Sequence, residues 1–150
     1  MRIVIAAIGK LRRGPEQELF DTYIRRLPWS VTVRDFAESG SGADRQERES
    51  ERLLKAVPDG ATIVALDERG KALDSVTFSE KLETWRDGGI GDVAFLIGGA
   101  DGHSPKIREK ADLLLSLGPM TWPHLLVRGM LAEQLYRASA ILAGHPYHRA

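Results

Sequence analysis

The sequence predicts an α/β fold in which a largely parallel sheet is flanked by helices. Short apolar runs typical of buried strands alternate along the chain with stretches whose apolar residues have helical spacing. This alternation is typical of a parallel sheet covered by helices. No repeat or long linker divides the chain, and 150 residues suffice for one sizeable core. We therefore expect residues 1–150 to form a single domain.

The predicted elements follow from apolar patterning and from proline and glycine positions. The opening run 1–9 is rich in Ile, Val and Ala, which predicts a buried strand. A helix is predicted from Pro15, since proline favours the first helical position, and it ends before Pro28. The other predicted elements are strand 29–36, helix 44–57, strand 61–66, helix 79–87, strand 92–97, a short helix from 105, strand 111–117 and helix 123–143. The charged run 44–49 predicts a solvated helix face.

Composition excludes several classes of protein. The chain has no cysteine, which excludes disulfides, thiolate nucleophiles and zinc–thiolate sites. Its 21 basic residues balance 21 acidic ones, which disfavours an avid, non-specific nucleic-acid binder. Any RNA site is therefore a local patch, or the RNA is held within a larger particle. The apolar run 3–8 is too short to span a bilayer and lacks secretory-signal features, so we expect a cytoplasmic protein.

Glycine-rich loops follow three of the predicted strands. Leu66 precedes Asp-Glu-Arg-Gly, Ile97 precedes Gly98 and Gly99, and Leu117 precedes Gly-Pro. Ligands bind at the carboxyl ends of strands in open α/β sheets, and glycines let the backbone approach a ligand closely. Each loop alone fits an ordinary turn. Three such loops on neighbouring strands favour a pocket.

No standard nucleotide or metal motif accompanies these loops. The chain lacks the dinucleotide G-x-G-x-x-G fingerprint, a P-loop, a G-x-S-x-G elbow, an H-E-x-x-H helix and an EF-hand loop. His145 and His148 flank a proline with no acidic residue nearby, so no metal is expected. His103 and His124 fit capping or surface positions. Arg128, near the start of the last helix, has no helix-dipole reason to be there and is predicted to contact a substrate phosphate.

Five segments together resemble a known family. They are residues 95–102 (FLIGGADG), 115–124 (LSLGPMTWPH), 126–128 (LVR), 133–138 (EQLYRA) and 145–149 (HPYHR). The chain resembles the YbeA-type (RlmH) family of bacterial methyltransferases, within the SPOUT superfamily, over essentially its whole length. Members methylate N3 of a pseudouridine in the 23S RNA of the large ribosomal subunit.

The resemblance implies several properties that periodicity does not. It implies a SPOUT-type fold with a C-terminal trefoil knot, a homodimer and S-adenosyl-L-methionine (SAM) as cofactor. The zero net charge predicts that the substrate is RNA within assembled ribosomes rather than isolated RNA. The tail of one subunit is implied to reach toward the site of the other. Our hypothesis is that Tyr147, His148 and Arg149 orient the base or the RNA backbone, with His148 as proton acceptor. The implied SAM-binding residues are Leu66, Gly98, Gly99, Leu117, Gly118, Pro119, Met120, Thr121 and Trp122.

Two alternatives remain open at this point. The first is a nucleotide- or dinucleotide-binding α/β enzyme, which would have the same strand-end pocket, but this sequence lacks the motif of that class. A non-catalytic, ribosome-associated binding module would share the RNA partner. Retention on ribosomes without methyl transfer from SAM would favour this binding module. The tail residues also fit a solvated terminus.

Overall fold

A computed structural model describes residues 1–149 and contains one five-stranded sheet. Its strands are β1 (Arg2–Ile8), β2 (Ser30–Phe36), β3 (Thr62–Lys71), β4 (Asp92–Ile97) and β5 (Leu113–Leu115). The helices are α1 (Pro15–Ile24), α2 (Arg45–Lys55), α3 (Ser75–Asp87), α4 (Pro105–Lys110) and α5 (His124–Leu142). The strand order is β2-β1-β4-β3-β5, and every neighbouring pair is parallel. The predicted α/β fold with a parallel sheet is confirmed.

Helices cover both faces of the sheet. On one face α5 packs against α1 and α3, and on the other α2 lies beside α4. Strand β1 contributes to both layers, since Ile5 belongs to the first core cluster and Ile8 to the second. A strand buried on both faces reads as a continuous apolar run, which is why β1 and β4 were predicted within about two residues of their bounds.

Three elements, β3, β5 and α3, differ most from prediction. β3 continues past Leu66 to Lys71 through an irregularity, so that both residues pair with Leu115 of β5. β5 is reduced to three residues, Leu113–Leu115. α3 begins at Ser75 rather than 79, because the Asp74 carboxylate accepts a hydrogen bond from Thr77 N (2.7 Å) and caps the helix. Within residues 1–149, no helix is both long enough and apolar enough to cross a membrane.

Candidate functional site

The carboxyl ends of β3, β4 and β5 meet at one cavity of about 390 Å³. This volume lies in the usual range for small-molecule sites. The segment after Leu66, which lies within β3, and the loops after β4 and β5 therefore line one cavity, as their positions in the sequence predict. Of the residues predicted to bind SAM, eight line it: Leu66, Gly98, Gly99, Leu117, Gly118, Met120, Thr121 and Trp122. Pro119 does not line it, and a cofactor-binding role for any of them stays a prediction.

The turn after β4 has no room for side chains. A Cβ atom on Gly99 would lie 3.0 Å from Ile8 Cγ2 and 3.1 Å from Glu49 Oε1. A Cβ atom on Gly98 would lie 3.1 Å from the carbonyl carbon of Gly102. Glycine at both positions therefore keeps the turn compact and leaves its backbone as the wall of the cavity.

Helix α2 holds this turn in place from behind. The Arg45 guanidinium donates two hydrogen bonds to the Asp101 carboxylate, at 2.7 and 2.8 Å, and thereby lowers the pKa of Asp101. Gln46 Nε2 donates to the Asp101 carbonyl (2.7 Å), and Ser104 N donates to Ser50 Oγ (3.0 Å). These contacts lie along one side of α2 and clamp the segment that follows Gly99.

The expectation that residues 44–49 form only a solvated face is therefore wrong. Glu49 and Ser50 are each 2% exposed. Glu49 Oε2 accepts a hydrogen bond from Ser39 N (2.9 Å), so the buried carboxylate also fixes the chain after β2. Burial is tolerated because hydrogen bonding offsets the cost of removing the charge from water.

Reversing the Arg45–Asp101 pair tests the clamp. We expect R45D to weaken SAM binding a few-fold, because like charges then repel at the base of the cofactor turn. The Gln46 bond to the Asp101 carbonyl remains, which limits the loss. The double variant R45D/D101R restores opposite charges and should recover the affinity, measured by calorimetric titration. Equal losses in the single and double variants would contradict the clamp.

The loop 117–122 is held by its own hydrogen bonds. Ser116 Oγ accepts from Gly118 N (3.1 Å) and donates to the Gly118 carbonyl (3.0 Å). Trp122 Nε1 donates to the Leu117 carbonyl (3.3 Å). Met120 is nevertheless 70% exposed and Trp122 39% exposed, although both are large and apolar. These two side chains give the cavity an apolar wall that solvent now covers.

His103 lies in the floor of the cavity, not at the surface as expected. It is 1% exposed, and its Nε2 lies 3.2 Å from the Leu96 carbonyl. Burial lowers the pKa of His103, so the ring is neutral near pH 7. Nε2 is then the protonated nitrogen, since only a donor can bond to a carbonyl oxygen. His124, by contrast, lies at the cavity rim with a partly exposed side chain.

Arg128 is fully buried, which leaves no exposed surface for a substrate phosphate. Its Nη2 donates to the Ile8 carbonyl at 3.1 Å and also to the Gly9 carbonyl. Burial lowers the pKa of Arg128, and the Asp35 carboxylate lies 3.9 Å from Nη1. The predicted phosphate contact thus has no support from its position. In the structure Arg128 holds the end of β1.

The tail folds back onto α5 of its own chain. Tyr147 OH donates to Glu133 Oε1 (2.9 Å), and its ring packs edge-on against Tyr136 with centroids 4.6 Å apart. Arg137 forms an ion pair with Glu133, four residues before it in α5, and lies over the Tyr147 ring. His148 lines a second, larger cavity of about 850 Å³ between α1, α3 and α5. Arg149 is exposed, and no tail residue lines the strand-end cavity.

The contacts of the tail restrict its chemistry. His148 Nδ1 lies 3.1 Å from Arg137 Nη1, and a guanidinium can only donate. His148 therefore accepts at Nδ1 and carries its proton at Nε2, so Nε2 is a donor rather than a base. Burial, followed by hydrogen bonds to Tyr23 and Glu133, raises the pKa of Tyr147. The phenol is accordingly protonated and acts as a donor at neutral pH.

The chain matches a known family over nearly its whole length. A sequence model described as "Predicted SPOUT methyltransferase" matches residues 1–148. The chain belongs to the SPOUT methyltransferase family. This methyltransferase is 56% identical to a protein of Paramagnetospirillum magneticum over 99% of both chains. It is 55% identical to one of Rhodospirillum centenum over 100% of both. Both relatives are named ribosomal RNA large subunit methyltransferase H.

A solved structure shares the fold of this SPOUT methyltransferase. A probable methylase family protein from Haemophilus influenzae Rd KW20 superposes with a TM-score of 0.59, covering 99% of this chain and 70% of the other. Their sequences are 13% identical, so the likeness concerns the fold alone. Family membership excludes the dinucleotide-binding alternative as the main activity. Within residues 1–149, no group of acidic or histidine side chains is arranged to hold a metal ion.

Proposed function

We propose that this chain transfers the methyl group of SAM to N3 of a pseudouridine in the 23S RNA of the large ribosomal subunit. The observation that carries the proposal is the convergence of three strand-end loops on one cavity, in a chain 56% identical to a named ribosomal RNA methyltransferase. An RNA substrate of this kind also favours a cytoplasmic location.

The cavity fits SAM in its chemistry. Its wall at Gly98 and Gly99 is bare backbone, which suits polar contacts to the adenosine and methionine portions. Met120 and Trp122 offer apolar surface to the adenine. SAM supplies an already activated methyl group, so the protein needs neither a nucleophile nor a metal. What the chain must do is hold the target nitrogen in line with that group and assist loss of its proton.

We propose further that residues 1–150 form one knotted domain. The connection from β5 to α5 runs against the irregular end of β3, where Ser116 N donates to the Lys71 carbonyl (2.9 Å). Near this point Gly70 packs directly against the backbone of Leu114. What supports the knot is the membership of the chain in the SPOUT family, since knots are otherwise rare in proteins.

A homodimer accounts for the position of the tail. The 850 Å³ groove shares Leu115, Leu117 and Gly118 with the cofactor cavity, and His148 lines it. Leu19 and Val76 expose apolar surface there, at 38% and 40% of their areas. A second copy in this groove would bury that surface and bring its own tail toward the cofactor. His148 Nε2 is a donor suited to orienting a carbonyl oxygen of a base, whereas the Tyr147 hydroxyl already donates its one proton to Glu133.

Methyl transfer onto ribosomal RNA tests the activity directly. Large-subunit RNA from cells with and without the protein should differ by one methyl group on a pseudouridine, located by mass mapping. Purified protein with labelled SAM should add this methyl group to assembled particles from cells that lack the protein. A short free transcript should be methylated poorly, because a chain of zero net charge binds isolated RNA weakly. Binding to particles without transfer would instead identify a non-catalytic module.

A further inference from the structure

We infer that residues 10–13, named here the basic loop, hold the phosphate backbone of the RNA substrate beside the cofactor cavity. The inference rests on the proposed function and adds the surface that binds the RNA. The loop joins β1 to α1 and leaves the sheet at the same carboxyl edge as the cavity. Lys10, Arg12 and Arg13 are exposed, whereas Leu11 packs against the core. Three cationic side chains thus face solvent at the functional edge.

Within the described part of the chain, the three cations of the basic loop are unpaired, unlike the arginines that line or support the cavity. Arg45 is paired with Asp101, and Arg69 and Arg108 are both paired with Asp67, so these arginines brace the cavity loops. Among the residues described, no carboxylate forms an ion pair with any of the three cations of the basic loop. In a chain of zero net charge this is an uneven distribution. It leaves a local positive patch free to bind an anionic polymer.

Two hydrogen bonds from backbone amides hold the start of the basic loop in place. Gly9 N donates to the Phe36 carbonyl (2.6 Å), and Leu11 N donates to the Asp35 carboxylate (3.0 Å). These bonds tie the loop to the end of β2. A loop ordered in advance loses little conformational entropy when it binds a ligand.

Buried Arg128 supports the basic loop from below. Its guanidinium donates hydrogen bonds to the carbonyl groups of Ile8 and Gly9, the two residues immediately before the loop. Asp35 lies 3.9 Å away and already accepts the Leu11 amide. Asp35 thus faces both the buried guanidinium and the loop backbone, and the two residues together hold the loop in place. Arg128 is a positioning residue in this account, and the phosphate contacts belong to the three exposed cations.

The basic loop begins at the wall of the cofactor cavity. Gly9 has a φ of +91°, and a Cβ atom there would lie 2.9 Å from His124 Nε2. His124 in turn lines the cavity. Only glycine lets the chain pass His124 with this backbone. A phosphate on the loop would therefore belong to a nucleotide close to the one that is methylated.

A triple variant and a charge-matched control test the loop. The variant K10A/R12A/R13A removes its three cations. The control R25A/K55A/K110A removes three exposed cations that form no ion pair within residues 1–149. They lie at the carboxyl ends of α1, α2 and α4, at or near the opposite edge of the sheet. Binding to large ribosomal particles and to deproteinised 23S RNA is measured by sedimentation over a salt series, with SAM affinity by calorimetry.

We expect the loop variant to bind RNA on the order of tenfold or more weakly, with unchanged SAM affinity. Its slope of log affinity against log salt should fall by about 2, as for three lost phosphate contacts. The control should bind like the unaltered chain. Equal loss in both variants, or an unchanged slope, would overturn the inference. Loss on particles but not on free RNA would indicate an acidic protein partner instead and also overturn it.

RNA binding by the basic loop and methyl transfer can fail separately, so the two proposals are distinguishable. If the unaltered chain binds RNA through the basic loop but transfers no methyl group, the proposed activity fails while the surface stands. If it methylates RNA and the loop variant keeps the same KM, the surface fails while the activity stands. If the surface is right, the loop variant raises KM for particles at a kcat close to that of the unaltered enzyme.

Discussion

Replacing Gly70 by alanine is expected to destabilise the protein by about 3 kcal/mol, the upper end of the usual cost of overpacking. A Cβ atom on Gly70 would lie 2.4 Å from the Leu114 carbonyl oxygen and 2.5 Å from its carbon. Both are backbone atoms of β5, which no side-chain rotation can move aside. Either β5 separates from β3 or the end of β3 shifts.

The damage should extend to the cofactor site. Lys71, next to Gly70, accepts the hydrogen bond from Ser116 N (2.9 Å), and the loop 117–122 follows directly. G70A should therefore unfold at lower denaturant concentration and bind SAM more weakly. G40A is the matched control, because a Cβ atom on Gly40 meets nothing within 4 Å and its φ is not positive. Equal unfolding midpoints for the two variants would contradict this account of β3–β5 packing.

The sequence predicted the cavity well because its determinants are local. Buried parallel strands such as β4 read as continuous apolar runs, and the glycines that end them stand out against those runs. The carboxyl edge of the sheet then follows from strand direction alone. Three separate loops could thus be assigned to one site before any contact was known.

What the sequence did not reveal depends on distant partners. Arg128 bonds to Ile8, 120 positions away, so nothing near it in sequence indicates burial. Arg45 meets Asp101 across 56 positions, and its surroundings in α2 look like any solvated helix. Likewise, the charged end of β3 becomes a strand only by pairing with β5. For Arg45 and Asp101, the signal would be a pair of opposite charges that vary together among relatives.

The tail is expected to act across a dimer, with a loss of activity in H148A of about 100-fold in kcat, the usual lower range for removing one hydrogen-bond donor to the transition state. His148 lines the groove beside the cofactor cavity, and Arg137 fixes its Nε2 as a donor. SAM affinity should not change, since no tail residue lines the cofactor cavity. Single-turnover methyl transfer on ribosomal particles measures the effect.

Mixing two defective variants decides whether the tail works in its own subunit or in the partner's. M120D/W122D should lose SAM binding, and its exposed substitutions should leave folding intact. Unfolding and refolding it together with H148A in equal amounts gives mixed dimers as half of all dimers. In each, the H148A subunit has a sound cofactor cavity and the partner has a sound tail. If the tail acts across the interface, about a quarter of full activity returns, since one site in each mixed dimer works. Activity no higher than that of H148A alone would place the tail in its own subunit's site, and would leave the groove between α1, α3 and α5 without this catalytic role.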